Sequence, residues 1–280
     1  MGKALALANQ KGGVGKTTTS VSVASWLAAS GWRVLLIDAD PQGNATSSLG
    51  IDKRTLPRST YDVLIEGVAV GDALVVAARE RLDLLGANPA LAGAEVELVS
   101  LSRRERRLGL ALETVREQYD VVLIDCPPSL GLLTVNALAA VDEVIVPIQC
   151  EYLALEGLMQ LINSIDLVKR RLNPALDVIG VVMTMFDPRT RLANQVVEDV
   201  RRYFPSRMFT TLIPRSVRLA EAPSFGKTIF EYDPTSRGAQ AYRSLSEEVA
   251  ARLALAPPGA QASFGSAASL SGAATSGGSR

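Results

Sequence analysis

Residues 9–20, "NQKGGVGKTTTS", decide the fold of this chain of 280 residues. A standard phosphate-binding loop has a glycine, any four residues and then Gly-Lys-Ser/Thr, between a strand and a helix. Counting back from the Gly-Lys-Thr of residues 15–17, the first glycine is expected at position 10. The chain has Gln10 there, followed by a second lysine, Lys11. The stretch therefore predicts a phosphate-binding loop of a variant kind, and its second lysine needs an explanation of its own.

The segments on either side of this loop support that interpretation. The apolar run at 4–8 predicts a strand, and a helical pattern begins at Lys16, so the loop has the strand and helix that the motif requires. The loop glycines permit close approach to phosphate, and their N–H groups form an anion site with the helix N-terminus. We expect Lys16 to reach the β- and γ-phosphates and Thr17 to ligate Mg²⁺. The expected nucleotide-binding residues here are Gly12, Gly13, Val14, Gly15, Lys16, Thr17 and Thr18.

Two further stretches place carboxylates at the ends of apolar strands. In "VVLIDCPPS", residues 121–129, Asp125 ends a strand in the manner of an aspartate that holds the Mg²⁺ shell. In "VLLIDADPQGN", residues 34–44, Asp38 and Asp40 point the same way if the strand continues through both. The alternative for Asp38 is that it simply ends the strand.

Short β-type runs alternate with longer helical patterns along the chain, and several of the runs are unbroken and apolar. Such runs are typical of parallel strands that are covered on both faces. The pattern predicts an α/β fold with a doubly wound, mainly parallel sheet flanked by helices, of the P-loop NTPase type. The expected strands are 4–8, 33–38, 82–85, 121–125, 143–148, 179–185 and 208–213. The expected helices are 16–30, 95–117, 132–140, 155–171, 193–203 and 238–255.

Composition changes near the C-terminus. Residues 256–280, "APPGAQASFGSAASLSGAATSGGSR", contain one aromatic and one charged residue among Ala, Gly, Ser and Pro. Such a segment cannot bury enough surface to offset the entropy of ordering its backbone. We therefore expect one ATPase-type domain over residues 1–256 and a disordered tail over 257–280.

Composition also limits the chemistry. The 29 basic and 29 acidic residues balance, and the chain contains no histidine, which excludes Ser-His and Cys-His catalysis. Its two distant cysteines form neither a disulfide framework nor a zinc site. The sequence has no apolar stretch of spanning length and no signal peptide, so we expect a cytoplasmic protein.

Five motifs together resemble the ParA/Soj chromosome- and plasmid-partitioning ATPases, which belong to the deviant Walker A group of P-loop proteins. The first motif marks the wider group, and the later ones are specific to ParA/Soj. The resemblance covers roughly residues 1 to 252 and does not distinguish a chromosomal from a plasmid protein. The motifs are "KGGVGKTTT", "DADPQGNAT", "IDCPPSLGLLTVNAL", "EYLALEG" and "IPRSVRLAEAPSFGK".

The resemblance implies Mg²⁺-dependent hydrolysis of ATP to ADP in an ATP-bound homodimer. It makes Lys11 the signature lysine, which contacts the nucleotide of the other subunit and is catalytic together with Lys16. The physics agrees, since one well-placed cation at the γ-phosphate contributes about 10³–10⁵ in rate in GTPases. The alternative for Lys11 is a solvent-facing residue on the loop.

The same resemblance assigns roles to residues beyond the loop. Asp40 positions the attacking water, and Asp125 belongs to the Mg²⁺ site, so that the metal ligands are Thr17, Asp40 and Asp125. Pro214 and Ser216 match the stretch that contacts adenine. Many relatives carry asparagine where this chain has Ser216, so we expect a backbone contact at that position.

The resemblance also implies DNA binding and a protein partner. Arg189 and Arg218 match arginines through which relatives bind double-stranded DNA without sequence preference, and a ParB/Spo0J-type protein stimulates hydrolysis and release. The protein would then be nucleoid-associated. The alternative for these arginines is an ordinary solvated face.

Two other functions in the same wider group are alternatives. A MinD-like membrane ATPase ends in a basic amphipathic helix, whereas this tail has a single terminal arginine, so we expect no membrane partner. An enzyme that bridges a metal cluster needs suitably placed cysteines from each subunit. Cys126 and Cys150 do not provide that arrangement.

Overall fold

Eight strands form one sheet in the computed structural model, which describes residues 2–151 and 154–258. The strand order across the sheet is β3-β4-β2-β5-β1-β6-β7-β8. Every neighbouring pair is parallel except β3 and β4. The predicted doubly wound, mainly parallel sheet is therefore confirmed. The strands are β1 (Lys3–Leu7), β2 (Val34–Asp38), β3 (Leu74–Arg79), β4 (Leu82–Leu85), β5 (Val121–Asp125), β6 (Glu143–Gln149), β7 (Asp177–Phe186) and β8 (Met208–Pro214).

Helices cover both faces of the sheet, because the strand side chains are apolar on both sides. One face of β1, with Ala4 and Ala6, packs in a core that includes residues of α2, α3 and α4. The other face, with Leu5 and Leu7, packs in a core that includes residues of α1 and α5. The five longest helices of the described residues are α1 (Lys16–Ala29), α2 (Leu132–Ala140), α3 (Ala154–Arg171), α4 (Arg191–Tyr203) and α5 (Arg237–Arg252).

The predicted helix over 95–117 is wrong. The chain forms a short helix at Leu91–Glu97, turns, and forms another at Arg107–Leu112. Four arginines at 103, 104, 106 and 107 would repel one another at helical spacing. The turn is also held from outside, since the Asn136 side chain donates to the carbonyl of Arg104 and accepts from the N–H of Leu108. A tertiary contact thus decides where these helices end and begin.

Strand β3 is absent from the sequence prediction. It lies at the edge of the sheet, antiparallel to β4, and its residues are half-buried or exposed. A bulge interrupts the pairing, and Ala77 has a positive φ of 52°. An edge strand of this kind lacks the buried apolar run that identifies the others, so only its partner strand reveals it.

Residues 256–258 pack against the start of β2. The indole N–H of Trp32 donates to the carbonyl of Ala256 at 2.9 Å, and Pro258 lies close to Gly31. The body of the expected tail, residues 259–280, lies outside the described residues. Within the two described ranges, no helix combines the length and the apolar character that crossing a membrane requires.

The sheet topology brings three chain segments to one place. Leu7 and Asp38, which end β1 and β2, are both paired in register with Asp125, which ends β5. The segments that follow these strands therefore emerge side by side at the carboxyl edge of the sheet, next to the point where strand order reverses. Ligands of open α/β sheets bind at such a point.

A buried hydrogen bond ties the helix after the glycine loop to the C-terminal helix. The Thr19 hydroxyl donates to the carbonyl of Gly15 at 2.7 Å, so Tyr242 is the donor in the 3.0 Å bond between the Tyr242 and Thr19 hydroxyls. Tyr242 is fully buried. Its ring also lines a cleft beside the loop.

Tyr242→Phe should lower stability by about 1 kcal/mol, because it removes one buried hydrogen bond and leaves the bond from Thr19 to Gly15 intact. In a chain of this size the melting temperature should fall by roughly 2–4 °C. Tyr203→Phe, at a side chain that is 67% exposed, is the control and should leave the melting temperature unchanged. Equal melting temperatures for Tyr242→Phe and wild type would show that the bond contributes nothing.

Candidate nucleotide-binding site

The loop between β1 and α1 has the backbone conformation of an anion site. Gly13 and Gly15 have φ values of +75° and +87°, which side chains other than glycine rarely allow. Gly12 does not share this requirement, since a Cβ there would meet Pro128 only at an ordinary 3.8 Å. Val14 is buried, and its carbonyl accepts from the Thr184 hydroxyl on β7 at 2.9 Å. The loop is thus anchored to the sheet while its N–H groups stay available for phosphate.

Lys16 is buried at the base of the loop. Its ammonium donates to the carbonyl of Lys11 at 3.2 Å, and its side chain is almost fully inaccessible. Burial lowers the pKa of Lys16, whereas the carboxylates of Asp125 and Asp40 favour its charged form. An arriving triphosphate would add further negative charge and hold the lysine protonated.

Thr17 and Asp125 meet beside the loop. The Thr17 hydroxyl donates to Oδ2 of Asp125 at 2.7 Å. The other carboxylate oxygen, Oδ1, is buried and has no hydrogen-bond partner among the described residues. Burial, together with the nearby Asp38, raises the pKa of Asp125 to about 8. An unpartnered buried oxygen beside a hydroxyl fits the hard, oxygen-ligated Mg²⁺ ion.

Thr17 and Asp125 would supply only some of the oxygen ligands that Mg²⁺ requires. No group of three or more acidic or cysteine side chains converges as a metal site among the residues that the structure describes. Mg²⁺ commonly keeps one or two protein ligands and takes the rest from phosphate and water. The donor set of Thr17 and Asp125 suits an ion that arrives together with a phosphate ligand.

Asp38 and Asp40 do not share one role. Strand β2 ends at Asp38, so the alternation that would point both carboxylates the same way stops there. Asp38 is fully buried, and its carboxylate accepts from the N–H and hydroxyl of Thr46 at 2.8 and 2.7 Å and from the N–H of Asp40 at 3.2 Å. Burial raises its pKa to about 6. Asp38 thus organises the segment 38–46. From the sequence alone, this role could not be distinguished from that of a residue that simply ends the strand.

Asp40 lies in the same segment, two residues beyond the end of β2, and is also buried. One of its oxygens accepts from the N–H of Gln42 at 2.9 Å. Its electrostatic influence reaches both Lys16 and Asp125. Asp40 is therefore close enough to Lys16 and Asp125 to affect the charge of both.

A cleft next to the loop is the candidate base site. It contains both residues that the sequence singled out, Pro214 and Ser216, together with Gly15 and Thr18 of the loop. Its walls are largely apolar, which suits a flat heteroaromatic ring. The sequence prediction missed several of its members, since they come from strand and helix ends far apart in the chain: Thr184, Met185, Ile213, Leu219, Ala220 and Tyr242.

The Lys11 side chain is bonded to a carboxylate outside the loop. Its ammonium donates to Oε2 of Glu151 at 2.8 Å, and the two side chains are 57% and 43% exposed. Its backbone N–H donates to the Asn9 side chain, which in turn donates to the carbonyl of Pro147 on β6. The two lysines of the loop therefore have different partners, and the Asn9 and Glu151 contacts are not evident from the motif.

Arg189 and Arg218 lie at the same edge of the sheet as the loop. Arg189 follows β7 and Arg218 follows β8, whereas Arg201 and Arg202 end α4 just before β8 begins, at the opposite edge. Both of the first two are exposed and paired: Arg189 lies 2.7 Å from Asp187, and Arg218 lies 3.1 Å from Glu221. The Arg189 side chain holds the pKa of Asp187 down at about 2.

Comparisons with known proteins agree with this geometry. A family profile described as an AAA domain matches residues 2–178. The chain is 56% identical over 251 residues to the sporulation initiation inhibitor protein Soj of Bacillus subtilis, covering 90% of this chain and 99% of that protein. It is 50% identical over 254 residues to the chromosome-partitioning ATPase Soj of Thermus thermophilus, covering 89% and 96%. The chain belongs to the ParA/Soj family of partitioning ATPases.

A solved structure of similar fold carries a different name. A cobyrinic acid a,c-diamide synthase from Mycobacterium smegmatis, with bound ADP and magnesium, is 41% identical and superimposes with a TM-score of 0.80. The match covers 91% of this chain and 96% of that one. The ParA/Soj chain described here therefore shares its architecture with a protein that binds a nucleotide and Mg²⁺.

Asp125→Asn should stabilise the nucleotide-free protein at pH 8. Because its pKa is raised from 3.8 to about 8, the folded state keeps a proton that the unfolded chain has lost, and stability falls as pH rises between these values. Asparagine cannot ionise, so the variant should melt higher than wild type at pH 8, by about 2–4 °C for each kcal/mol recovered. The difference should shrink towards pH 4.

The control is Asp72→Asn, at an exposed carboxylate away from the site. Thermal melts at pH 5 and pH 8 check the prediction. With Mg²⁺ and ATP the order should reverse, since wild type alone keeps the anionic ligand. A difference between variant and wild type that is the same at both pH values would contradict the assignment of a raised pKa.

Proposed function

We propose that this chain is an ATP-driven DNA-segregation switch. ATP and Mg²⁺ join two copies into a dimer, the dimer binds DNA without sequence preference, and a ParB-type partner stimulates hydrolysis and release. The observation that carries the proposal is that the two lysines of the loop have different partners and different exposure. Lys16 is buried at the phosphate loop, whereas Lys11 is exposed and bonded to Glu151, just beyond β6. Family membership supports the partitioning role.

In the nucleotide site, the N–H groups of residues 13–16 would hold the β- and γ-phosphates, with Lys16 beside them. Thr17 and Asp125 would hold Mg²⁺, which offsets phosphate charge. Asp40 would orient the attacking water, since it lies near Asp125 and one of its oxygens accepts from the N–H of Gln42 in the turn after β2. Asp38 would act indirectly, by fixing Thr46 and the segment that carries Asp40.

Lys11 would complete the site of the second subunit. The transferred phosphoryl group spreads charge over three oxygens, and a cation supplied from a partner stabilises that charge. In a single copy, Lys11 is bonded to Glu151 instead. A monomer would therefore hydrolyse ATP slowly, and assembly of the dimer would be the step that ATP controls.

DNA binding would use the arginine-bearing edge. Arg189 and Arg218 lie at the carboxyl edge of the sheet, the same edge as the nucleotide, so dimer formation would bring two such sets together. Phosphate contacts from exposed arginines provide affinity without base readout. Each arginine is paired with a carboxylate of its own chain, so each phosphate it gains replaces an existing partner. This would place nucleoid association under the control of ATP.

An amide synthase, suggested by the name of the solved relative, has weaker support. The relative from Thermus thermophilus that is named as a chromosome-partitioning ATPase is 50% identical to the chain, against 41% for that structure. Release of ammonia from glutamine by a cysteine requires a reactive thiolate and a base. The chain has no histidine, and burial raises the pKa values of Cys126 and Cys150.

Lys11→Ala should separate nucleotide binding from dimer formation. The variant should still bind ATP, because Lys16 and the loop N–H groups remain, but it should not dimerise with a slowly hydrolysed ATP analogue. Phosphate release should fall by about 10³-fold at the lower end of the effect of such cations. Lys3→Ala, at the opposite edge of the sheet, is the control. If sedimentation showed normal ATP-dependent dimerisation of Lys11→Ala, the proposed contact of Lys11 with the nucleotide of the other subunit would be wrong.

DNA affinity should require ATP and should fall steeply with salt. Log K should decrease by about 0.9 per phosphate contact for each decade of salt, and the slope should roughly double when two copies join. Arg189→Ala and Arg218→Ala should each weaken binding and flatten the slope by up to one contact per subunit, with ATP affinity unchanged. Arg201→Ala is the control. Salt titrations of duplex binding with and without the ATP analogue check this, and equal binding in both would remove the DNA-switch role.

A further inference from the structure

Further hydrogen bonds hold both partners of the ion pair between Lys11 and Glu151 in place. Glu151 lies just beyond β6, and its Oε1 accepts from the Gln149 side chain while its N–H donates to the carbonyl of Gln149 at 2.8 Å. These contacts hold the carboxylate in place and leave Oε2 for the lysine. On the other side, the Asn9 bridge to Pro147 fixes the backbone of Lys11. Both partners are therefore anchored to the end of the same strand.

The pair neutralises the charge that a second subunit would need. An ammonium bonded to a carboxylate presents little net positive charge, and a carboxylate beside a triphosphate repels it. Lys11 can therefore contact a partner's nucleotide favourably only when it leaves Glu151. About half of each side chain is exposed, and exposed ion pairs are weak and screened by salt. Such a pair can hold the lysine in the single chain and still give it up to a stronger anion.

We propose that Glu151 is a positioning residue that retains Lys11 on its own subunit until a second, ATP-bearing copy of the chain supplies the phosphates. The inference rests on the proposed trans-acting role of Lys11. Glu151 thereby raises the threshold for dimer formation and keeps the single chain from pairing at low ATP occupancy. Among the described residues, the Glu151 side chain is hydrogen-bonded to Lys11 and Gln149 and not to the loop glycines or Lys16, so its effect on the site would pass through Lys11.

Glu151→Gln tests this directly, because glutamine keeps the shape and can still accept from Gln149, but it has no charge to hold Lys11. Two pairs break for each dimer formed, so the dissociation constant of the ATP-analogue dimer should fall by about 2- to 30-fold. The difference from wild type should fade as salt rises to about 1 M, where the screening length is about 3 Å. Glu156→Gln, the same change at an exposed side chain on α3, is the matched control.

The same measurement in the Lys11→Ala background gives a readout that a purely structural role would not change. There, Glu151→Gln should not restore dimerisation with the ATP analogue, since the partner of Glu151 is already absent. An effect of equal size in both backgrounds would overturn the proposal. So would a Glu151→Gln variant that dimerises like Glu156→Gln, or less well than wild type.

The outcomes also separate this inference from the proposed function. If Lys11→Ala dimerises normally with the ATP analogue, both the trans-acting lysine and its retention by Glu151 are wrong. If Lys11→Ala fails to dimerise while Glu151→Gln matches Glu156→Gln at every salt concentration, the proposed function stands and only the role of Glu151 is lost. Tighter dimerisation of Glu151→Gln that depends on Lys11 and disappears at high salt is the expected result.

Discussion

Two buried aspartates at the ends of neighbouring parallel strands set the conditions for the whole site. A carboxylate without water is costly unless hydrogen bonds or a cation compensate it. Asp38 is compensated within the chain, by three hydrogen bonds from Thr46 and Asp40. Asp125 is compensated only in part, by Thr17, and one of its oxygens has no hydrogen-bond partner within the part of the chain that the structure describes. The first aspartate therefore organises a segment, and the second suits a bound cation.

The two lysines of the loop also differ in the carboxylates that surround their charges. Lys16 is buried next to Asp125 and Asp40, so its charge belongs to the phosphate site of its own chain. Lys11 is exposed and bonded to Glu151, so its charge is available elsewhere only when that pair opens. Under the proposed function, a single chain would lack one cation at its own nucleotide site. Slow hydrolysis by the monomer and faster hydrolysis in an assembly would then follow from the same geometry.

The parallel sheet links the nucleotide to the basic surface. Because all strands except β3 run in one direction, the segments that follow β1, β2, β5, β7 and β8 emerge at one edge. The phosphate loop, the buried aspartates, the base cleft and both candidate DNA-binding arginines follow those strands. Joining two copies at this edge would thus affect nucleotide chemistry and DNA contacts together, without a long-range conformational change within either chain.

The sequence by itself determined the fold class, the phosphate loop and the carboxylate of Asp125, because glycine torsions, unbroken apolar strands and a strand-terminal aspartate are local features. It could not separate Asp38 from Asp40, place the helix ends between 91 and 112, or reveal β3, since each depends on contacts with distant residues: Thr46, Asn136 and β4. Nor could it connect Lys11 with Glu151, which lies 140 residues away. Only the tertiary structure decides such pairs, because a weak ion pair between exposed side chains leaves no pattern in either local stretch.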